Sequence, residues 1–234
     1  MCTGLPCFRH SGVEVCLVGI AFLRLKIPTR DMEIVKRVRI DMKKDILICG
    51  VGGQGTVLAS KIIAAAAMEA GNNVHSAETI GMAQRGGSVT SHVRIGEASS
   101  PLIPKGKCDL LLAFEPSEAV RNLPYLKENG LVIVNSVPVK PTTESLQETG
   151  YDGTEMIAYL KKQCKTIAVN ADELCERFGS SKYFNVILLG VATGSGELGL
   201  SKELVLAEIE KRVPAKFVET NKEAFQVGLQ AACL

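Results

Sequence analysis

The chain has 234 residues, 46% of them hydrophobic and 22% charged, which is enough apolar material for one core of ordinary globular type. Its 27 lysines and arginines against 25 acidic residues give a formal charge of +2, and the basic residues are dispersed, so a nucleic-acid-binding protein is not indicated. Of the eight cysteines, Cys49, Cys108, Cys164 and Cys175 lie inside or beside apolar segments, which favours a reducing cytoplasm over a disulfide framework. The sequence has no C-x-x-C pair, so neither a metal nor an iron–sulfur cluster is predicted in this chain.

Residues 1–41 differ in pattern from the rest of the chain. The apolar stretch 13–27 is interrupted by three charged residues and is shorter than the roughly 20 apolar residues that a membrane helix needs. The start also lacks the basic segment and the cleavage site of a signal peptide. We therefore predict an extraneous or disordered leader over 1–41, one domain over 42–234, and no membrane span.

From residue 42 onwards, short β-like runs alternate with stretches of helical pattern. The runs predicted as strands are DILICG (45–50), NNVHSAET (72–79), SVTSHVRI (88–95), DLLLAF (109–114), LVIVNS (131–136) and KTIAV (165–169). Each run except the second is followed by a segment with helix potential, an alternation typical of a mostly parallel sheet with helices on both faces. The sequence therefore predicts an α/β fold with a Rossmann-like sheet.

The helical stretches have recognisable ends. The first spans 56–70 and stops before Gly71, and a second opens at Pro116 and closes at Gly130. After the last strand the pattern is mainly helical, with stretches at 170–179, 182–194, 201–213 and 217–232. Ser201 is the expected N-cap of the third of these. Proline and glycine residues between 136 and 152 predict a long loop.

A glycine-rich turn, CGVGGQGT (49–56), lies where the first strand becomes the first helix and matches G-x-G-x-x-G. Free N–H groups and the helix dipole at such a turn favour an anionic group, although glycines also make this turn in folds that bind nothing there. A dinucleotide site would need an acidic residue at the end of the second strand, and Glu78 lies near that place. It is followed, however, by a loop with a second glycine pair, TIGMAQRGG (79–87), instead of a helix.

Two long segments share a family likeness. ILICGVGGQGTVLASKIIAAAAMEAG and AETIGMAQRGGSVTSHVRIG closely resemble the gamma domain of the 2-oxoacid:ferredoxin oxidoreductases, in particular the indolepyruvate branch. The resemblance continues through DLLLAFEPSEAVRNLPYLKENGLVIVNS and covers about 42–234. It implies the accessory (beta) subunit of a hetero-oligomer that oxidatively decarboxylates aryl 2-oxoacids, in aromatic amino-acid catabolism, to acyl-CoA with reduction of ferredoxin.

The resemblance also implies how cofactors are divided. In the indolepyruvate branch a large alpha subunit carries thiamine diphosphate and [4Fe–4S] clusters, so this chain is expected to hold no cofactor alone, to supply no catalytic residue and to be inactive alone. A contact with coenzyme A is expected at two loops and the helix between them. The residues concerned are Gly52, Gly53, Gln54, Gly55, Lys61, Arg85, Gly86 and Gly87.

Other interpretations of these loops stay open. Lys61 and Arg85 converge on a phosphate only if the fold brings the two loops together. Otherwise Lys61 simply solvates its helix and Arg85 pairs with Glu78 at a subunit interface. The rival functions are a stand-alone dinucleotide-binding protein and a purely structural docking subunit that contacts no ligand.

The strand SVTSHVRI separates apolar from polar side chains. Alternation predicts one face with Val89, Ser91, Val93 and Ile95, and an opposite face with Ser88, Thr90, His92 and Arg94. The first face is expected to pack against the core. The second is suited to a ligand or a partner, or to solvent at the edge of a sheet. For His92 itself, a structural role is favoured over that of a catalytic base.

Overall fold

The computed structural model describes residues 9–10, 13–14, 42–80, 86–139 and 150–232. The chain divides into two compact units, Met1–Arg39 and Ile40–Leu234. In the first unit, strands β1 (Arg9–His10) and β2 (Val13–Glu14) pair antiparallel, an element that the sequence pattern did not predict. The second unit contains the predicted α/β fold.

The second unit is built on one six-stranded sheet in the order β4-β5-β3-β6-β7-β8. Its strands are β3 (Lys44–Val51), β4 (Val74–Ile80), β5 (Ser88–Ile95), β6 (Cys108–Ala113), β7 (Leu126–Asn135) and β8 (Lys165–Val169). Strands β3, β6, β7 and β8 run parallel, whereas β5 lies antiparallel to both β3 and β4. All six predicted runs form strands, and the mostly parallel sheet is confirmed.

Helices cover both faces of this sheet. They are α1 (Thr56–Glu69), α2 (Pro116–Asn122), α3 (Thr154–Gln163), α4 (Ala171–Cys175), α5 (Phe184–Gly194), α6 (Lys202–Arg212) and α7 (Val218–Ala231). Helices α2 and α3 pack on one face, and α1 with the four C-terminal helices packs on the other. The C-terminal third is therefore mainly helical, as expected. No helix among the described residues is both long and apolar enough to cross a membrane.

The central strand β3 shows why the sheet is buried on both sides. Ile46 and Ile48 belong to the core beneath α1 and α5, whereas Leu47 and Cys49 belong to the core beneath α2 and α3. All four side chains are fully buried. A strand covered on both faces needs a continuous apolar run instead of an alternating one, and ILIC meets that need.

One helix boundary differs from the expectation, and one predicted helix cap is confirmed. The helix that opens at Pro116 ends at Asn122, not at Gly130, because a 3₁₀ turn at Leu123–Tyr125 leads directly into β7. Pro124 has no N–H to donate to the carbonyl four residues earlier, so the α-helical hydrogen bonds cannot continue past this point. Ser201 is the N-cap of α6, since its hydroxyl accepts the Leu204 N–H at 3.4 Å. Most of the predicted 136–152 loop, residues 140–149, lies outside the described residues.

Candidate functional site

The glycine-rich turn is held in shape by Gln54. The Gln54 side-chain oxygen accepts the N–H of Val51 at 2.6 Å, and its amide nitrogen donates to the carbonyl of Phe114 at 3.0 Å. These two bonds tie the turn after β3 to the residue that follows β6. A Cβ on Gly50 would lie 2.7 Å from that same side-chain oxygen, so this position needs glycine. The Gln54 side chain therefore holds the loop in shape.

The fold brings the two glycine-containing loops together. The N–H of Gly52 donates to the carbonyl of Gly87 at 2.8 Å, and the N–H of Gly86 lies 3.5 Å from the carbonyl of Gly52. The antiparallel pairing of β3 with β5 causes this contact, because Val51 at the end of one strand faces Ser88 at the start of the other. The convergence required by the sequence prediction is thus present for Gly52, Gly86 and Gly87, whereas Arg85 lies outside the described residues.

The start of α1 has several N–H groups without an acceptor among the described residues. Gly55 is the N-cap residue in a left-handed conformation with φ 86°, it provides no side-chain cap, and the first turn holds no acidic residue. The N–H groups of Gly53, Gly55 and Thr56 form no hydrogen bond with a described residue. A Cβ on Gly53 would meet no atom of the described residues within 4 Å, so these residues leave the space above the loop open. Such a helix start suits an anionic group.

Lys61 lies on the second turn of α1 with an exposed side chain. It forms no ion pair with any residue that the structure describes. Five residues of helix place its Cα about 7.5 Å along the axis from the start of α1, and helical side chains lean towards the N-terminus. A long side chain on this turn is therefore able to reach towards the open space above the glycine loop.

The polar face of β5 has a structural role. Arg94 makes two bonds to Asp45, Nε to Oδ1 at 2.8 Å and Nη2 to Oδ2 at 3.1 Å, and both side chains are largely buried. The Nδ1 atom of His92 accepts the N–H of Ile103 at 3.2 Å. Burial lowers the pKa of His92, and the nearby Arg94 guanidinium lowers it further. His92 is thus a neutral structural histidine, and β5 is an interior strand and not the solvated edge that one interpretation expected.

Two buried carboxylates near the loops were missed in the sequence. Glu115 and Glu118 lie at the start of α2, where β6 ends, and are 1% and 4% exposed. Burial, together with the charge of Glu118, raises the pKa of the Cys49 thiol beside them well above its usual range. Acidic residues in the first turn of a helix are normally solvated, so only the fold shows that these two are enclosed.

Asn185, near the start of α5, was missed as well. Its side-chain oxygen accepts the N–H of Val186 at 2.8 Å, and its Nδ2 atom lies where a Cβ on Gly55 would be. The Asn185 side chain thus packs against the turn into α1 at Gly55. The separation of these positions by 130 residues of chain leaves no local signal that would connect them.

The dinucleotide interpretation is not supported by the strand order. Because β5 lies between β3 and β4, Glu78 on β4 does not neighbour the glycine loop as the acidic residue of a dinucleotide site would. Its carboxylate instead accepts a hydrogen bond from Ser60 of α1 at 3.3 Å.

Fold and site together define an α/β protein with a mixed six-stranded sheet and an open, glycine-rich loop at the carboxyl end of its first parallel strand. Residues 45–231 match the family model described as pyruvate ferredoxin/flavodoxin oxidoreductase. The chain therefore belongs to this family, and it is a small subunit of a 2-oxoacid:ferredoxin oxidoreductase.

Individual relatives agree with this assignment. The chain is 42% identical to the indolepyruvate oxidoreductase subunit IorB of Archaeoglobus fulgidus, over 82% of this chain and 96% of that protein. It is 30% identical to the pyruvate/ketoisovalerate oxidoreductases common subunit gamma of Pyrococcus abyssi, over 78% and 95%. A crystal structure of the keto/oxoacid ferredoxin oxidoreductase gamma subunit of Geobacter sulfurreducens superposes with a TM-score of 0.60 at 28% identity, over 81% of this chain and 98% of that one.

Proposed function

We propose that the chain is the beta subunit of an indolepyruvate-type enzyme that decarboxylates aryl 2-oxoacids to acyl-CoA. Its partner is a large alpha subunit that holds thiamine diphosphate and iron–sulfur clusters and passes electrons to ferredoxin. The higher identity with the Archaeoglobus subunit than with the Pyrococcus gamma subunit supports the indolepyruvate type. Four free cysteines among the described residues, three of them buried, support a reducing cytoplasm as its location.

For this chain we propose that the paired glycine loops bind a phosphate of coenzyme A. The observation behind the proposal is an uncapped helix start at which the N–H groups of Gly53, Gly55 and Thr56 have no acceptor among the described residues, with open space at Gly53. Backbone hydrogen bonds of Gly52 with Gly86 and Gly87 hold the two loops together, and the hydrogen bond between Gln54 and Val51 holds the turn in shape. Lys61 and Arg85 are the cations proposed to complete the site.

Replacing Lys61 tests the proposal in the assembled enzyme. Lys61→Ala removes one charge-assisted contact of about 1.5–3 kcal/mol, so the apparent KM for coenzyme A should rise by about one to two decades. The KM for the 2-oxoacid should stay the same, because that substrate reacts on the partner's thiamine diphosphate. Lys162→Ala is the matched control, since Lys162 is an equally exposed lysine on α3, on the other face of the sheet.

Gly53→Val is the second variant for this site. A valine fits the space in the free subunit but fills the volume proposed for the phosphate, and it disfavours the observed φ of 101°. We expect a greater loss of coenzyme A affinity than for Lys61→Ala, with assembly intact. An unchanged KM for coenzyme A in both variants, together with poor co-purification with the alpha subunit, would instead support the purely structural docking role.

The isolated chain provides a separate test of how the catalytic activity is divided between the two subunits. Without a partner it should show no 2-oxoacid-dependent reduction of a viologen dye, and titration with NAD should produce no saturable change in fluorescence or heat. Dye reduction by the lone chain would refute its role as an accessory subunit. Saturable NAD binding would favour the dinucleotide-binding alternative.

A further inference from the structure

The buried carboxylate of Glu118 contacts the second glycine loop. Removing a carboxylate from water is costly unless it is hydrogen-bonded or paired, so its partners indicate what it holds in place. The Ser88 hydroxyl donates to Oε2 of Glu118 at 2.5 Å, and Nε of Arg121 lies 3.3 Å from Oε1. Arg121 is 66% exposed, whereas Ser88 belongs to the sheet. The shorter, less exposed contact is therefore the one to the sheet.

Ser88 is the residue through which this contact reaches the loop. It follows Gly87 directly and is the first residue of β5. Glycines have no side chains, so Gly86 and Gly87 are positioned by backbone bonds and by the side chains of their neighbours. The bond from the Gly52 N–H to the Gly87 carbonyl links this second loop to the turn at the start of α1.

Glu115, the neighbouring buried carboxylate, has a different set of partners. It accepts hydrogen bonds from the Ser117 hydroxyl at 2.5 Å, from the Glu118 N–H at 2.9 Å and from the Tyr151 hydroxyl at 2.6 Å. Burial raises the pKa of Tyr151, and the Glu115 carboxylate raises it further, so this tyrosine stays a hydrogen-bond donor. None of these partners belongs to either glycine loop. The two carboxylates thus hold different parts of the same edge of the sheet.

We propose that Glu118 is a positioning residue for the anion site. Through Ser88 it holds the second glycine loop against Gly52, and this keeps the N–H groups at the start of α1 aligned. Glu118 does not itself contact the anion, because it is enclosed and carries the same sign of charge. The inference rests on the proposed coenzyme A site for its effect on affinity, but its effect on the loop does not depend on any ligand.

Hydrogen exchange at the Gly52 amide tests the effect on the loop. In Ser88→Ala the carboxylate loses its donor from the sheet, and we expect the Gly52 N–H to exchange about three to ten times faster than in the wild type. Ser88→Thr retains the hydroxyl and should restore the wild-type rate. Ser117→Ala is the matched control, because it removes an equally short hydroxyl–carboxylate bond at the same end of α2 without a link to the loops. Equal rates in Ser88→Ala and the wild type would overturn the proposal.

Kinetics of the assembled enzyme test the consequence for the ligand. Ser88→Ala should raise the apparent KM for coenzyme A about three- to tenfold and leave the KM for the 2-oxoacid unchanged, with rescue by Ser88→Thr. The double variant with Glu118→Ala should be no worse than the poorer single variant, because both changes remove the same contact between Ser88 and Glu118. Additive losses, or an equal loss in Ser117→Ala, would refute the positioning role.

Failure of this inference can be distinguished from failure of the proposed function. If Lys61→Ala raises the KM for coenzyme A but Ser88→Ala changes neither that KM nor the Gly52 exchange rate, only the positioning role is wrong. If Ser88→Ala speeds exchange at Gly52 but no loop variant alters the KM for coenzyme A, the positioning role holds and the ligand assignment fails.

Discussion

Gly53 and Gly55 need glycine for different reasons. Both have positive φ values, 101° and 86°, which cost an L-residue with a side chain about 1–2 kcal/mol. At Gly53 an added Cβ would meet open space, whereas at Gly55 it would overlap Nδ2 of Asn185. Space for a ligand is thus available at Gly53, whereas the Asn185 side chain occupies the corresponding space at Gly55.

This difference predicts unequal losses of stability. Gly53→Ala should lower the free energy of unfolding by about 1 kcal/mol, from backbone strain alone. Gly55→Ala should lower it by about 1–2 kcal/mol more, because the Asn185 side chain must also move. Urea denaturation of the two variants measures both values.

An Asn185→Ala background isolates the steric contribution to the loss of stability in Gly55→Ala. When Asn185 is replaced by alanine, the extra loss caused by Gly55→Ala should disappear, while the loss caused by Gly53→Ala should stay the same. Equal losses at the two glycines in the native background would show that the turn into α1 is not closed by Asn185.

Helices α1 and α6 are joined by a cluster of charges around Glu208. The Glu208 carboxylate is buried and accepts hydrogen bonds from Lys211, at 2.6 Å, and from Arg212, and Lys211 also lies 3.3 Å from Glu69 of α1. Burial raises the pKa of Glu208, but the hydrogen bonds from the two cations outweigh it, so the net result is a pKa below the ordinary value. The charged form is therefore the one that stabilises the fold.

The lowered pKa of Glu208 predicts a pH-dependent contribution to stability. A carboxylate with a lower pKa in the folded state stabilises at pH values above its unfolded pKa of about 4.3, and this contribution is lost as the pH falls through the folded pKa. Glu208→Gln should therefore lower the free energy of unfolding by about 1 kcal/mol at pH 7, where solvent screens the exposed partners, and by less at pH 3. Denaturation curves at the two pH values measure this difference.

Glu219→Gln is the control for this measurement. Glu219 pairs with Lys222 at 3.1 Å on α7 but is 82% exposed, so its replacement should change stability little at either pH. A loss for Glu208→Gln that is as great at pH 3 as at pH 7 would show that packing, and not charge, is the contribution of this residue.

Met42 is the first described residue of the unit that spans residues 40–234, and it contacts the core. The Met42 N–H donates to the Asn72 side-chain oxygen at 3.3 Å, and its side chain packs against the core beside Gly199. A chain truncated before Met42 keeps these contacts, and one truncated after Lys43 loses them.

Deletion of residues 1–41 should therefore leave the melting temperature within about 2 °C of that of the full chain. Deletion of residues 1–43 should lower it by about 2–4 °C, since about 1 kcal/mol of apolar burial is lost. Differential scanning calorimetry of the two truncated chains provides the measurement. A large decrease already in the shorter deletion would refute the interpretation of 1–41 as an extraneous leader.

Local patterns were enough to predict the strands of the six-stranded sheet, most of the helices and the glycine-rich turn. An apolar run such as ILIC and the helical pattern of α1 can be recognised from neighbouring residues. The Ser201 cap involves a residue only three positions away. The prediction that the second helix runs to Gly130 was wrong, because Pro124 lies inside the predicted segment and stops the helix.

Only the tertiary structure decided what surrounds the glycine loop. The place of β5 between β3 and β4 joins Gly52 to Gly87 and separates Glu78 from the loop, and strand order has no local signature in the sequence. The enclosure of Glu118 and its bond to Ser88 likewise join residues 30 positions apart. Sequence determined the elements, because each forms from contacts within a few residues. The long-range pairing of those elements determined the site, because the contacts between Gly52 and Gly87 and between Ser88 and Glu118 join parts of the chain that are far apart in the sequence.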